Sequence, residues 1–223
     1  FWRCGARLRT VDDGVDEIKE LVEKYQVKEI FDDNESGFIW NKDYLEEFCD
    51  KMAIKGLIKK VRISTNARAD SLSDDVCRLL KKTGFRLLKI GLESGNDKTL
   101  KILKKDESIE QIMDGIKRAK RYGLIAMLTT MVGYPWENES DAENTYRATK
   151  DIMLYRTHFG DSLQSSIIVP YPGTPLNMEA LRNNWLLVDP KDYEKFDMEH
   201  QILKTEIDTT KWCRKMWRIH LNP

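Results

Sequence analysis

Apolar residues along this chain recur in two rhythms that alternate. Five short, dense runs read as strands: "VKEIFDD" at 27–33, "VRISTN" at 61–66, "LLKIGLE" at 87–93, "IAMLTTMVG" at 125–133 and "LQSSIIVP" at 163–170. Between them the apolar positions return at helical spacing. Residues 13–25 place Val15, Ile18, Leu21, Val22 and Tyr25 on one face, and residues 43–55 do the same with Tyr44, Leu45, Phe48, Cys49 and Met52. Ser73 reads as the N-cap of a helix carrying Val76, Leu79 and Leu80, with Gly84 as its stop; Ser108 opens a helix of Ile112, Ile116 and Ala119 that Gly123 ends. Residues 139–156 form another helix, and a last one starts near Asp208. Strand followed by helix, repeated, predicts parallel strands joined by right-handed crossovers. The pattern leaves two α/β folds open, a doubly wound sheet and a (β/α) barrel, complete or partial. Past residue 176 the character changes to mixed charge with Trp185, Trp212 and Trp217. We read 1–175 as the core and 176–223 as an extension packed on it, with the tryptophans as packing residues.

Composition changes this picture mainly by exclusion. With 223 residues, 41% of them hydrophobic, the chain can bury one sizeable core. Lys+Arg and Asp+Glu both number 37, so no general electrostatic case exists for nucleic acid or an anionic membrane as partner. No apolar run approaches the roughly 20 residues that span a bilayer, and no signal-peptide pattern is visible. Cys4, Cys49, Cys77 and Cys213 lie far apart without a C-x2-C pair. That usage suits a reducing cytoplasm better than a disulfide framework.

The chemistry-bearing residues collect at the strands' C-terminal ends, where parallel α/β folds bind ligands. The first strand ends in Asp32, Asp33, Asn34 and Glu35; the second in Ser64, Thr65, Asn66 and then Arg68; the third in "GLESG", with Glu93; the fourth in "GYPWEN"; the fifth in "PYPGTP". A scaffold needs caps and turns at such ends, but not a glutamate behind an apolar strand. Glu93 can bond a ribose or an amine or act as a base; a salt bridge to Lys89 or Lys98 is the plainer alternative. Lys105 follows a helical turn and, from spacing alone, is a solvated helix end. His158, His200 and His220 show no metal-site spacing, and His158 reads as a helix-end residue.

Taken in order, these stretches resemble the radical S-adenosylmethionine (radical SAM) superfamily, closest to its cobalamin-associated and methylthiotransferase-like branch. The resemblance covers about residues 7–182. "RLRTVDDGVDEIKELVEKYQVKEIFDDN" is similar to the segment from the R-x-R-S/T signature into a strand ending in acids; "NARADSLSDDVCRLLKKTGFRLLKIGLESGNDKTLKILKK" resembles the Arg-x-Asp, helix, G-x-E-S-G and L-x4-K series. "GYPWEN" resembles G-x-P-G-E-T, and "PYPGTPL" the last strand end. The resemblance implies an α/β partial (β/α)6 TIM-like barrel with a C-terminal helical extension. It implies a [4Fe–4S] cluster held by a C-x3-C-x2-C loop, S-adenosylmethionine chelating the open iron, and reductive cleavage to a 5′-deoxyadenosyl radical that abstracts a substrate hydrogen. A reductant such as ferredoxin or flavodoxin is implied for the full enzyme, as is cobalamin in an upstream domain for this branch.

Carried over position by position, the resemblance puts Asp32 and Asp33 near the methionine amino group. It puts Ser64, Asn66 and Arg68 on the strand that meets ribose or carboxylate, and Glu93 near the same moiety. Lys105 falls at the basic position that pairs with the methionine carboxylate. Gly133 and the backbone from Ile168 through Val169 to Tyr171 fall beside adenine. Trp136 and Asn138 stand where the family has Gly and Thr, which weakens the carry-over to Glu137. Cys4 fits no slot of the cysteine loop, since Phe1, Arg7 and Leu8 occupy the positions its partners would need. The expectation is therefore a fragment whose first strand and cluster loop lie upstream of Phe1, inactive alone. Two alternatives stay open: a metal-dependent (β/α)-barrel lyase using Glu93, and a degenerate, non-catalytic barrel. The substrate is not legible.

Overall fold

The computed structural model describes residues 8–34, 39–198 and 200–221; Cys4, Glu35 and the side chain of His220 lie outside what is described. Five parallel strands, β1 (Glu29–Asp32), β2 (Arg62–Ala67), β3 (Phe85–Glu93), β4 (Ile125–Val132) and β5 (Ser162–Ile167), pair in sequence order and curl into a half-barrel. The connecting helices are α2 (Lys42–Ile54), α3 (Asp74–Thr83), α5 (Ile109–Arg121) and α6 (Glu139–Leu154). A further helix, α1 (Val11–Tyr25), precedes β1. Of the two folds left open by periodicity, the half-barrel is the one found.

Residue alternation sorts the sheet into two faces. Leu88, Ile90 and Leu92 of β3 and Ala126, Leu128 and Val132 of β4 are buried against the helices, meeting Val76, Cys77 and Leu80 of α3 and Ile112 and Ile116 of α5. Lys89, Gly91 and Glu93 therefore face the concave side, with Met127, Thr129 and Met131 beside them. The expected caps hold: the Ser73 hydroxyl accepts from Val76 N at 3.2 Å, and Ser108 forms a reciprocal capping box with Gln111. Two short helices escaped the periodicity, α4 (Asp97–Ile102) and α7 (Pro175–Arg182), each too brief to establish a period.

The residues after 175 complete the layer rather than stand apart. The last helix, α8 (Thr209–Leu221), packs on the outer face of β5 and on α6. There the Ser165 hydroxyl reaches Cys213 Sγ at 3.8 Å, Trp217 Nε1 donates to Ser165 O at 3.2 Å, and Trp212 Nε1 donates to Glu139 Oε2 at 2.9 Å. The edge of β5 is partly covered, since Ile167 N donates to Met198 O at 3.2 Å. Among the described residues no helix is long and apolar enough to cross a membrane.

At the N-terminal end of the sheet lies a buried ion pair. Lys120, near the end of α5, donates to Asp161 Oδ2 at 2.9 Å, Ile152 O at 2.9 Å and Met153 O at 3.3 Å, which occupies all three of its protons. Asp161 in turn accepts from Ala126 N and His158 N, each at 2.9 Å. His158 Nε2 lies 2.8 Å from Lys120 O, so that nitrogen carries a proton and caps the helix end, in keeping with a helix-end role.

Candidate functional site

The opposite, C-terminal end of the sheet gathers acids and cations around Gly91. The β3–β4 register slips between Gly91 and Glu93, and Glu93 takes a left-handed backbone with φ 62°. For a residue with a Cβ that conformation costs about 1–2 kcal/mol. It turns the carboxylate back over Gly91: a Cβ placed there would stand 1.9 Å from Glu93 Oε1 and 3.2 Å from Lys105 Nζ. Lys105 arrives from the loop after α4, where Lys104 and Asp106 are both left-handed, at φ 55° and 56°. These two bends bring a residue that spacing alone reads as solvated into the mouth.

Glu107 ties the second half of the cluster together. Its Oε2 lies 3.4 Å from Lys105 Nζ and 3.6 Å from an Arg68 nitrogen, while its Oε1 accepts from Asp70 N at 3.0 Å. Arg68 also holds Asp70 through two bonds, at 2.7 and 3.2 Å. The structure thus brings Arg68, Glu93 and Lys105 together, as the resemblance implies, and adds Glu107. In the sequence Glu107 looks like one more acid before a helix cap; its only signal is its place directly ahead of Ser108.

The other expected residues are spread more widely. Asp32 shares the parity of Ile30 and so faces the helices, where it accepts from Thr65 Oγ1 at 3.0 Å and from Asn34. Asp33 is exposed. Asn66 donates to Asn34 O at 2.6 Å and pins the β1 loop to the mouth. Ser64 lies on the inner face but lower, its hydroxyl donating to Glu29 at 3.1 Å. Gly133 is left-handed with φ 97°, and a Cβ there would meet Thr209 Cγ2 at 2.8 Å, so α8 closes its α-carbon side. Val169 packs with Phe196 and Ile202, whereas Tyr171 is half-exposed.

The "GYPWEN" loop joins the mouth from β4. Tyr134 is fully buried and stacks on Trp136 at 5.3 Å; Trp136 meets Trp185 edge-on at 6.5 Å. Glu137 accepts from Thr99 Oγ1 at 2.6 Å and Ser94 Oγ at 2.7 Å, locking this loop to the one after β3. Asn138 caps α6 with a reciprocal box to Asp141.

Burial dominates the electrostatics of the mouth. Desolvation raises the Glu93 carboxyl above its ordinary range, with Lys105 and a Thr129 hydrogen bond pulling back. Desolvation also raises Glu137, opposed by its hydroxyl donors, and pushes the Tyr134 phenol well above the ordinary value, with Glu93 and Glu137 adding to the rise. Glu93 Oε2 and the Tyr134 hydroxyl are buried without a hydrogen-bond partner among the described residues, and Glu107 Oε2 has only its ion pairs with Lys105 and Arg68. Leaving a buried polar group unpaired costs about 1–3 kcal/mol, so two at one mouth single it out as the candidate ligand site.

A mixed-charge cluster of this kind suits an amino-acid-bearing nucleoside: cations for a carboxylate, an acid for an amine or ribose hydroxyl. Among the described residues it has no iron–sulfur ligand set beside it. Cys49, Cys77 and Cys213 are buried on three separate helices, and burial raises all three thiols, Cys77 to about 12. Among the described residues no group of three or more His, Cys, Asp or Glu could hold a metal.

Comparison with known proteins bears on the family and the fold. The Radical SAM superfamily profile matches residues 2–149. An uncharacterized methyltransferase of Pyrococcus horikoshii is 27% identical over 214 residues, covering 95% of this chain and 44% of its own. The anaerobic magnesium-protoporphyrin IX monomethyl ester cyclase of Cereibacter sphaeroides is 28% identical over 206 residues, covering 92% of this chain and 32% of its own. The chain thus spans less than half the length of these relatives. In fold it is similar to the radical S-adenosylmethionine methyltransferase TsrM of Kitasatospora setae, solved with cobalamin and a [4Fe–4S] cluster. The TM-score is 0.68 at 15% identity, over 93% of this chain and 41% of that one.

Proposed function

The chain belongs to the Radical SAM superfamily of enzymes, and on that footing we propose that its barrel mouth binds S-adenosylmethionine. The observation that carries the reading is the convergence of Glu93 and Lys105 over Gly91, with an unpaired buried oxygen on Glu93. In the proposal Lys105 and Arg68 hold the methionine carboxylate, one charge-assisted hydrogen bond each. Glu93, fixed by its left-handed backbone, accepts from the ribose hydroxyls or the ammonium. Tyr134, within the field of Glu93 and with its hydroxyl unpaired, offers its proton to the same ligand. The loops after β3 and β4, locked through Glu137, keep water from the inner side of the mouth.

When bound in the complete enzyme, S-adenosylmethionine supplies the 5′-deoxyadenosyl group with which this family abstracts hydrogen. The iron–sulfur cluster that the family uses finds no ligand set among the described residues, and no step is assigned to it here. The relatives named for methyl transfer and the fold likeness to a cobalamin-bound enzyme support cobalamin and an external reductant as partners of the complete protein. Trp185, in edge contact with Trp136, places the extension beside the mouth, where it would help shape the substrate side.

Thermal unfolding of the chain with S-adenosylmethionine, S-adenosylhomocysteine, adenosine and methionine tests the reading. The first two should raise the transition temperature in a saturable way, and Lys105→Met should remove most of the rise. Equal rises in wild type and variant would discard the assignment.

A further inference from the structure

Below the proposed cofactor mouth, the concave face carries a cation with no direct hydrogen bond or ion pair among the described residues, Lys89, which acts on the Glu93 carboxylate only through its field. Lys89 lies on the central strand and faces the inside of the half-barrel, because Leu88 and Ile90 on either side of it are wholly buried against the helices. It is half-buried and has neither a hydrogen bond nor an ion pair among the described residues. The other inward cations differ. Arg86 is bonded to Glu29 at 2.8 and 2.5 Å, and Lys105 and Arg68 share Glu107. Arg62, lower on β2, is open to solvent, where a lone charge is ordinary.

The neighbours of Lys89 define what it would hold. In register beside it stand Asn66 on β2 and Met127 on β4. The amide nitrogen of Asn66 gives one of its two protons to Asn34 O, which leaves one N–H beside Lys89 for an anion. One step lower the row holds Phe31, Ser64, Leu87 and Ile125, three of the four apolar, with Phe31 nearly half-exposed. One step higher is Gly91, about 7 Å up the strand, where Glu93 and Lys105 meet. The residue is half-buried as a whole, and the row on its side away from the mouth is mostly apolar.

We propose that Lys89 is the anchor for an anionic oxygen group on the substrate, a carboxylate or phosphate carried on an apolar body that lies against Leu87 and Met127. This rests on the reading of the mouth above it as the S-adenosylmethionine end. The anchor sets the depth of the substrate, and so which of its carbon atoms stands level with Gly91. Lys89 is a binding and positioning residue; it is given no part in bond-making.

The test uses octanoate, octyl phosphate and neutral octanol as probes, titrated into the 223-residue chain while the Met127 methyl signal is followed by NMR. At least one anion should shift Met127, and the tighter of the two identifies the group. Lys89→Met and Lys89→Gln, checked for native circular dichroism, should weaken that anion by about tenfold or more, the worth of a charge-assisted hydrogen bond. Lys89→Arg should retain it, and octanol should be indifferent to all three changes. Anion affinity that ignores Lys89, or no shift at Met127, overturns the proposal. S-adenosylmethionine binding is measured on the same samples. Lys89-dependent anion binding without S-adenosylmethionine binding sinks the cofactor reading alone; the reverse sinks this one alone.

Discussion

Two clusters of charge lie at opposite ends of the same sheet. At the N-terminal end, Lys120 and Asp161 are wholly buried, and every proton of the lysine has an acceptor. At the C-terminal end, Lys105 and Arg68 pair with Glu107 more loosely, at 3.4 and 3.6 Å, an oxygen of Glu93 is left unpaired, and Glu93 sits on a left-handed backbone. A closed network fixes the fold; an open one, held in strain, is arranged for something else to complete it. Charge and burial alone would rank the two ends together. Hydrogen-bond completeness separates them.

The comparison breaks first at the closed end. Lys120→Met leaves Asp161 buried without its cation, which costs about 3–5 kcal/mol. Urea unfolding should show a midpoint that falls far below the wild type, or a chain that does not fold. The open end should behave in the opposite way. Gly91→Ala meets only the far end of the Glu93 side chain and the Lys105 amine, so stability should change by about 1 kcal/mol or less, while S-adenosylmethionine affinity falls about tenfold, as calorimetry would record.

A smaller effect is expected where the loop departs from its family. Asn138→Ala removes the cap of α6 and should cost about 1 kcal/mol in the same unfolding assay, whereas Asn138→Thr should cost little.

The smallest effect carries a sign. Because burial raises Glu93 in the folded state, the stability tied to its protonated form is complete below the unfolded carboxyl range and is lost as pH rises through the folded value. Glu93→Gln should therefore be the more stable protein at neutral pH, and the gap should close as pH falls below about 4. A Gln variant less stable than wild type at neutral pH would mean that Lys105 outweighs burial.

Much of this was legible in advance, and the parts that were not have physical reasons. The strand–helix alternation gave the five strands, because parallel strands buried on one face must be apolar at every second position. Parity could also have turned Asp32 away from the mouth, since it shares a face with Ile30, and placed Ser64 below it. Glu107 was out of reach: nothing local distinguishes a buried acid from a solvated one until Arg68 and Lys105 arrive from elsewhere. Lys105 itself needed two left-handed residues, Lys104 and Asp106, neither of them glycine. Tyr134 was hidden inside a loop whose stacking on Trp136 exists only in three dimensions.

The most direct test of the open mouth is a thermodynamic cycle on the carboxylate contact. S-adenosylmethionine and its decarboxylated analogue are titrated into wild type and Lys105→Met. If Lys105 holds that carboxylate, each change alone weakens binding by about tenfold, and the two together weaken it little further. Losses that simply add would show that Lys105 and the carboxylate act apart, and would contradict the account.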